Sequence, residues 1–332
     1  MKIYSQKGVA FESEFYCESH DELYIYLDPP LSAEKYFYTG DLRKYDCDAE
    51  LANISQTLIK VLFKDTDKYY QESKMIPAFI YGAGQDSQVP ISKEQFKNAI
   101  NNARNNTLPN FYRHLYLGDC EFLVGTIQNL LNGLDDAFIN YFIRISDIGK
   151  NEKVGKPNII KMEMSDEVSR IEATLENYFI KAHSILDIFT KLAYEFENIN
   201  EDLTKYDKLK GKDILWGDRK KLKMNNIKGT LFNKNETINL IETLRNEVVH
   251  NGSWELNPTL YMKFENYSIV ERYMLFPDIE NGHLSTLKNR RHFFGSQLKV
   301  NDILPKIHID FLNRVFYTAQ YINKQYGFYN KR

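Results

Sequence analysis

The sequence predicts a mainly helical α+β protein. Long stretches repeat apolar residues at helical spacing, above all 165–198 and 119–147, whereas strict alternation is confined to residues 1–27 and to 260–275. An apolar residue every third or fourth position fits a helix with one buried face, and alternation fits a half-buried strand. At 332 residues the chain is long enough for about two domains with substantial cores.

Three alternating runs, around Lys2 to Ser5, Ala10 to Tyr16 and Leu23 to Leu27, predict a small antiparallel sheet that ends at Pro29-Pro30. Leu51, Ile54, Leu58, Val61 and Leu62 then mark a helix over 48–70. Ser92 with Gln95 three residues later is a capping-box pattern that opens a helix over 92–105. Between them Tyr81-Gly82-Ala83-Gly84 is glycine-rich, but without Gly-Lys-Ser/Thr it reads as a turn rather than a phosphate loop.

Phe122, Leu123, Ile127, Leu130, Leu131, Leu134, Phe138 and Ile139 form the stripe of a helix over 119–147. The breaker-rich run from Gly149 to Pro157 follows, and it divides an N-terminal mixed α/β region, 1–157, from a helical region, 158–332. The helix over 165–198 carries Val168, Ile171, Leu175, Tyr178, Phe179, Ala182, Ile185, Leu186, Phe189, Leu192, Ala193 and Phe196 on one face. Glu176, His183, Asp187 and Lys191 run along its polar flank. Nearly forty residues of mixed polarity come next, too long for an ordinary bundle connection, and contain Trp216, Arg219, Lys220, Lys221, Lys223 and Lys228.

A helix over 238–250 follows, closed by Asn251-Gly252. Ile238, Leu240, Ile241, Leu244, Val248 and Val249 fill its apolar arc, and Arg245 falls inside that arc. A guanidinium there needs a carboxylate or phosphate to meet it, and Asp187 is the candidate counter-ion. The alternative is that the polar flank of the 165–198 helix is solvated or bonded within itself. Asn246 and His250 share one flank, with Glu242 a turn earlier. On an ideal helix Arg245 and His250 diverge by roughly 140°, so two copies across a two-fold axis would assemble them better than one. After Asn257-Pro258 the spacing of Leu260, Met262, Phe264, Ile269, Tyr273 and Leu275 predicts strands, and Glu280-Asn281-Gly282 predicts a hairpin. A last helix over 306–326 offers Phe311, Leu312, Val315, Phe316 and Ile322 to the core.

Arg245-Asn246, three residues and His250, on a late helix ending His-Asn-Gly, resembles the signature of the HEPN superfamily. The resemblance covers roughly the C-terminal half. It implies a HEPN-like helical bundle, here with a β-hairpin insertion, that dimerises with Arg245, Asn246 and His250 of both copies at the interface. Many members are metal-independent endoribonucleases in toxin, antiviral or RNA-processing roles, and others have lost catalysis and bind RNA or partners.

The expected chemistry is therefore RNA cleavage. His250 acts as general base on a ribose 2′-hydroxyl, Arg245 neutralises the phosphorane, and Asn246 orients the histidine or the phosphate. His183, Asp187 and Glu242 are the supporting residues. Arg219, Lys220, Lys221 and Lys223 form one candidate RNA-binding cluster, and Arg290 and Arg291, running through His292 into Phe293-Phe294, form a second. The alternatives are a catalytically silent module that binds RNA, a nucleotide or a partner, and a structural role in which Arg245 pairs with Asp187 and His250 caps a helix end. The expected partners are RNA, a second copy of the chain, and a separate regulatory or antitoxin protein.

Composition bounds these readings. A net charge of −2 excludes a globally basic nucleic-acid wrapper, so RNA contact must come from local patches. Three dispersed cysteines, Cys17, Cys47 and Cys120, argue for a reducing compartment without a disulfide framework. No signal-like or membrane-length apolar run occurs, so a soluble cytoplasmic protein is expected. The seven histidines are scattered, no nucleophile elbow is present and no cofactor fingerprint occurs. Neither a metal nor a cofactor is expected.

Overall fold

The computed structural model describes residues 2–12, 24–28, 35–38, 43–105, 108, 110–150, 152–200, 202–280, 282–288 and 290–327. The Pro29-Pro30 stop, and Ser13 to Tyr16 of the second predicted strand, lie outside the described residues. The chain opens with β1 (Lys2–Ser5), β2 (Ala10–Glu12), β3 (Tyr24–Asp28) and β4 (Lys35–Tyr38). Five helices follow: α1 (Arg43–Phe63), α2 (Thr66–Ser73), α3 (Phe79–Gly82), α4 (Lys93–Asn105) and α5 (Phe111–Asp147). Next come β5 (Ile159–Glu163), α6 (Asp166–Glu197) and α7 (Glu236–Asn246). The chain continues through β6 (Leu260–Glu265), β7 (Ser268–Met274), β8 (Ile279–Glu280), β9 (His283–Leu284), β10 (Thr286–Leu287) and β11 (Arg291–His292) to α8 (Val300–Gly327). The mainly helical α+β class is as expected.

The chain folds into two compact units, each assembled from three separate segments. Met1–Lys44, Leu130–Ser184 and Lys234–Arg314 make the first, and Tyr45–Asn129, Ile185–Asn233 and Val315–Arg332 make the second. This division does not follow the expected cut between residues 157 and 158. The breaker run lies inside the first unit and leads directly into a strand, while α5, α6 and α8 each contribute to both units.

In the first unit β2-β1-β3-β4 form one antiparallel sheet and β5-β6-β7 another. The two are tied together by Arg272 of β7, which is buried. Its Nη1 donates to the Gly8 carbonyl at 3.0 Å and its Nε to the Ile148 carbonyl at 2.7 Å. Its backbone N–H donates to the Lys7 carbonyl at 2.8 Å. Asn301 of α8 completes the node, donating to the carbonyls of Gln6 and Arg272 and accepting from the Tyr141 hydroxyl. Burial lowers the Arg272 pKa, against the opposing charge of Asp147. The N-terminal hairpin is thus built into the same unit as β7 and the start of α8. His308 fills the core nearby, stacked on Phe138 at 4.1 Å and bonded to the Tyr178 hydroxyl at 3.3 Å.

In the second unit α1 ends at Phe63, and α2 begins after Asp65, whose carboxylate accepts from the N–H groups of Asp67 and Lys68. The single helix expected over 48–70 is therefore two. The capping box at α4 forms as expected, with Gln95 N–H donating to Ser92 Oγ and Ser92 N–H to Gln95 Oε1. The segment from 199 to 233 is not a free loop. It makes three 3₁₀ turns, Lys210–Asp213, Trp216–Lys221 and Lys223–Asn226, whose backbone N–H groups are satisfied by carboxylates of α6. Gly211 N–H donates to Glu195, Trp216 N–H to Asp187 at 2.5 Å, and the N–H groups of Lys223 and Met224 to Glu197 at 2.7 and 3.0 Å. Trp216, Leu222, Met224, Leu231 and Phe232 of this segment are buried. Among the described residues no helix is long and apolar enough to cross a membrane.

Candidate functional site

The motif helix α7 starts where Asn235 Oδ1 accepts from Ile238 N–H at 2.9 Å. Ile238, Leu240, Ile241 and Leu244 are buried, as the apolar arc requires. After Asn246 the helix changes character: Glu247–Asn251 form a single π-helical turn, and Gly252, at φ +91°, stops it. A π turn closes its hydrogen bonds over i→i+5 rather than i→i+4. The widened turn rotates the residues after Asn246 relative to an α-helix. It leaves Val248 half-buried and Val249 exposed, where an uninterrupted helix would place both in the apolar arc.

Arg245 is half-buried, and its Nη1 donates to Asn246 Oδ1 at 3.0 Å. Among the described residues the guanidinium makes no ion pair, and Asp187, the expected counter-ion, is engaged by the Trp216 N–H in the second unit. His250 is exposed at the end of the π turn. Glu242 is half-buried one turn earlier on α7, and His183 is half-buried on the first-unit part of α6.

Two hairpins run beside this helix, all within the first unit. In the first, Ile279 pairs with Leu284 and Glu280 with His283, and Gly282 at φ +76° closes the turn. A Cβ at Gly282 would come within 3.3 Å of Glu236, and Thr243 Oγ1 lies 3.5 Å from His283 Nδ1. In the second hairpin, Thr286 pairs with His292 and Leu287 with Arg291. His292 Nε2 sits 3.3 Å from Glu247 Oε2, fastening β11 to the π turn. The Asp278 carboxylate accepts from the N–H groups of Gly295 and Ser296, both at 2.9 Å, and fixes the exit of that strand.

Between the π turn, the 252–256 segment, α6 and β11 lies a cleft of about 900 Å³. One wall carries Arg290, Arg291, His292, Phe293 and Phe294, and the other carries Glu172, Glu176 and Glu255, with Ser253 and Trp254 at the base. Ser253 Oγ donates to Glu172 Oε1 at 2.7 Å, and Trp254 packs edge-on against Phe179. Burial raises the carboxyl pKa values of Glu172 and Glu176. Glu255 is pushed up to about 7, by burial first and by the charge of Glu172 second. One wall thus favours anions and aromatic bases, and the other repels phosphate while its carboxylates are ionised.

The structure brings the motif helix and the Arg290–Phe294 cluster together. Arg245, Asn246 and His250 themselves do not line the cleft; Glu247 and Asn251 do, joined by a 2.7 Å hydrogen bond from Asn251 Nδ2 to Glu247 Oε2. These two, with Glu172 and Glu255, were not singled out from the sequence. Their signal was the i, i+4 spacing of Glu247 and Asn251 on the same helix. The other basic cluster, Arg219, Lys220, Lys221 and Lys223, belongs to the second unit. There Arg219 stacks over the Trp216 ring at 4.5 Å and Lys221 pairs with Asp218 at 2.9 Å. No protein-family model, curated protein or solved structure matches the chain.

Proposed function

We propose that the chain is an RNA-directed protein of the HEPN type, a metal-independent endoribonuclease acting through Arg245, Asn246 and His250. The observation that carries this reading is the 3.3 Å contact between His292 and Glu247. Through it, a short strand, Arg291–His292, flanked by Arg290 and by Phe293 and Phe294, is held against the turn that carries the candidate base. A single-stranded RNA laid along β11 has guanidinium groups for its phosphates and aromatic rings for its bases. In the reaction His250 removes the proton of a ribose 2′-hydroxyl, the freed oxygen attacks the adjacent phosphorus, and Arg245 offsets the charge of the phosphorane. The 5′-oxygen leaves and takes a proton from water, giving a 2′,3′-cyclic phosphate and a 5′-hydroxyl. Because the nucleophile belongs to the substrate, the scheme calls for no metal. A homodimer across a two-fold axis supplies the same three residues from a second copy, and a toxin or defence role with a separate regulatory protein fits this chemistry.

Two observations favour a second reading, a silent binding module. Arg245 is held by its own neighbour Asn246, and three carboxylates form one wall of the cleft. Incubation of the purified protein with mixed RNA in chelator, with analysis of product ends, separates the readings. Cyclic-phosphate products that disappear in His250→Ala, an exposed position where folding is preserved, support the nuclease. RNA bound but never cut, or cut equally by His250→Ala, leaves the binding module.

A further inference from the structure

The second unit contains a cavity that the RNA reading does not use. It measures about 340 Å³ and lies among α3 and its following turn, the start of α4, the first turns of α5, and Tyr206. Phe96, Leu115 and the ring of Tyr81 supply apolar walls. The Tyr81 hydroxyl is bonded to His114 Nδ1 at 3.1 Å, so Tyr81 brings the cavity a ring rather than a free polar group.

Two polar side chains of the wall, Asp119 and Gln85, offer acceptor oxygens. The Asp119 carboxylate receives the Tyr206 hydroxyl, at 3.1 and 3.3 Å to its two oxygens, and among the described residues it forms no ion pair. Gln85 donates from Nε2 to the Gly118 carbonyl at 3.3 Å, which leaves its Oε1 as a second acceptor. Lys93 lines the cavity but is exposed and does not neutralise Asp119. Burial raises the Asp119 carboxyl, the bond from Tyr206 counters it, and the charge of Glu195 adds to the rise. An anion placed here would meet a carboxylate, and a purely apolar guest would leave that carboxylate further desolvated without a partner. A planar cation with several N–H donors satisfies both acceptors and sets its face against aromatic rings.

We infer that this cavity is a binding site for a small organic cation of the amidinium or guanidinium class, its N–H groups on Asp119 and Gln85 and its apolar body against Tyr81 and Phe96. A volume of this size lies in the range of small-molecule sites, with apolar walls and a few convergent polar groups. The inference rests on residues of the second unit alone and stands or falls separately from RNA cleavage.

The test is calorimetric titration of the full-length protein with benzamidine, alongside its neutral isostere benzamide. Benzamidine is expected to bind saturably at one site and to raise the melting temperature, with benzamide at least about tenfold weaker. Asp119→Asn, which keeps the shape and the Tyr206 contact, should weaken benzamidine by about tenfold or more. Gln85→Leu, at a half-buried position, should weaken it by a smaller factor. Both variants are checked for a cooperative melt. Three results overturn the inference: no saturable benzamidine binding tighter than about 10 mM, equal affinity for benzamide, or undiminished affinity in folded Asp119→Asn.

Discussion

Replacing Glu255 by Gln should stabilise the protein at alkaline pH and leave it unchanged in acid. Glu255 titrates near 7 in the folded chain against a usual 4.5, because burial and the neighbouring Glu172 both disfavour its charge. The folded pKa lies above the unfolded one, so between these values the folded state holds the proton more tightly. Stability is therefore greatest at the acid end of that window, falls as pH rises through it, and is flat above about 7. At about 1.36 kcal/mol per pKa unit the full shift corresponds to roughly 3 kcal/mol. The cleft admits solvent to this side chain, which reduces the expected effect to about 1–2 kcal/mol. Gln cannot ionise and carries no such loss. Urea unfolding of wild type and variant at pH 4 and pH 8 measures it: the midpoints should nearly coincide at pH 4, below the unfolded pKa, and the variant should be higher at pH 8. A difference of the same size at both pH values would refute the assignment of Glu255 as a desolvated acid.

Arg290→Glu combined with Arg291→Glu should weaken RNA binding and flatten its salt dependence while the melt stays cooperative; an unchanged slope would assign β11 to solvated surface. Gly8→Ala should lower stability by about 1–3 kcal/mol, since Gly8 has φ +67° and a Cβ there would lie 2.4 Å from the Arg272 carbonyl oxygen. A urea midpoint like that of the wild type would show that the Arg272 node yields. Asp187→Ala leaves the Trp216 N–H unpaired and should cost about 1–3 kcal/mol without altering any RNA cleavage. Lost cleavage in a stably folded Asp187→Ala would instead restore it as a partner of Arg245.

The elements that could be read from sequence are those whose signals are local. All twelve apolar residues assigned to one face of the 165–198 helix are buried, since over nine turns the helical period has no competing interpretation. The Ser92–Gln95 box and the hairpin that pairs Glu280 with His283 depend only on adjacent residues, and both form. The break between α1 and α2 has neither Gly nor Pro; Lys64 takes φ +59° because Asp65 caps the next helix, a competition that periodicity does not register. Strand β5 exists through pairing with β6, Ile159 opposite Phe264, about a hundred residues away. Its own sequence, following a breaker run and leaving Ile160 and Met162 exposed, carries no alternation toward a core. The expected cut at residue 157 failed to mark the units for a related reason: helices of 37, 32 and 28 residues are longer than either unit requires, and each serves both.

At the candidate site, the sequence offered a pattern of residue types but not its phase. The pattern Arg245-Asn246 to His250 is a string of letters, but where those side chains point depends on how the helix is wound. An α-helix would place Arg245 in the apolar arc, where it would need a buried counter-ion, and would turn His250 well away from it. The π turn at Glu247–Asn251 changes the winding after Asn246. The apolar arc runs to Leu244 and breaks down in the turn that follows, while Arg245, still within α7, lies half-buried with its guanidinium on Asn246. The turn also presents Glu247 to His292, which fastens the basic strand at the same point. No residue type commands a π turn in the way that glycine commands a positive φ. Here the turn coincides with the place where a continued α-helix would bury Val248 and Val249 beside a guanidinium. The widened winding thus falls at a motif that sets a charge within a hydrophobic face, and among the described residues the partner of Arg245 is Asn246 rather than a carboxylate.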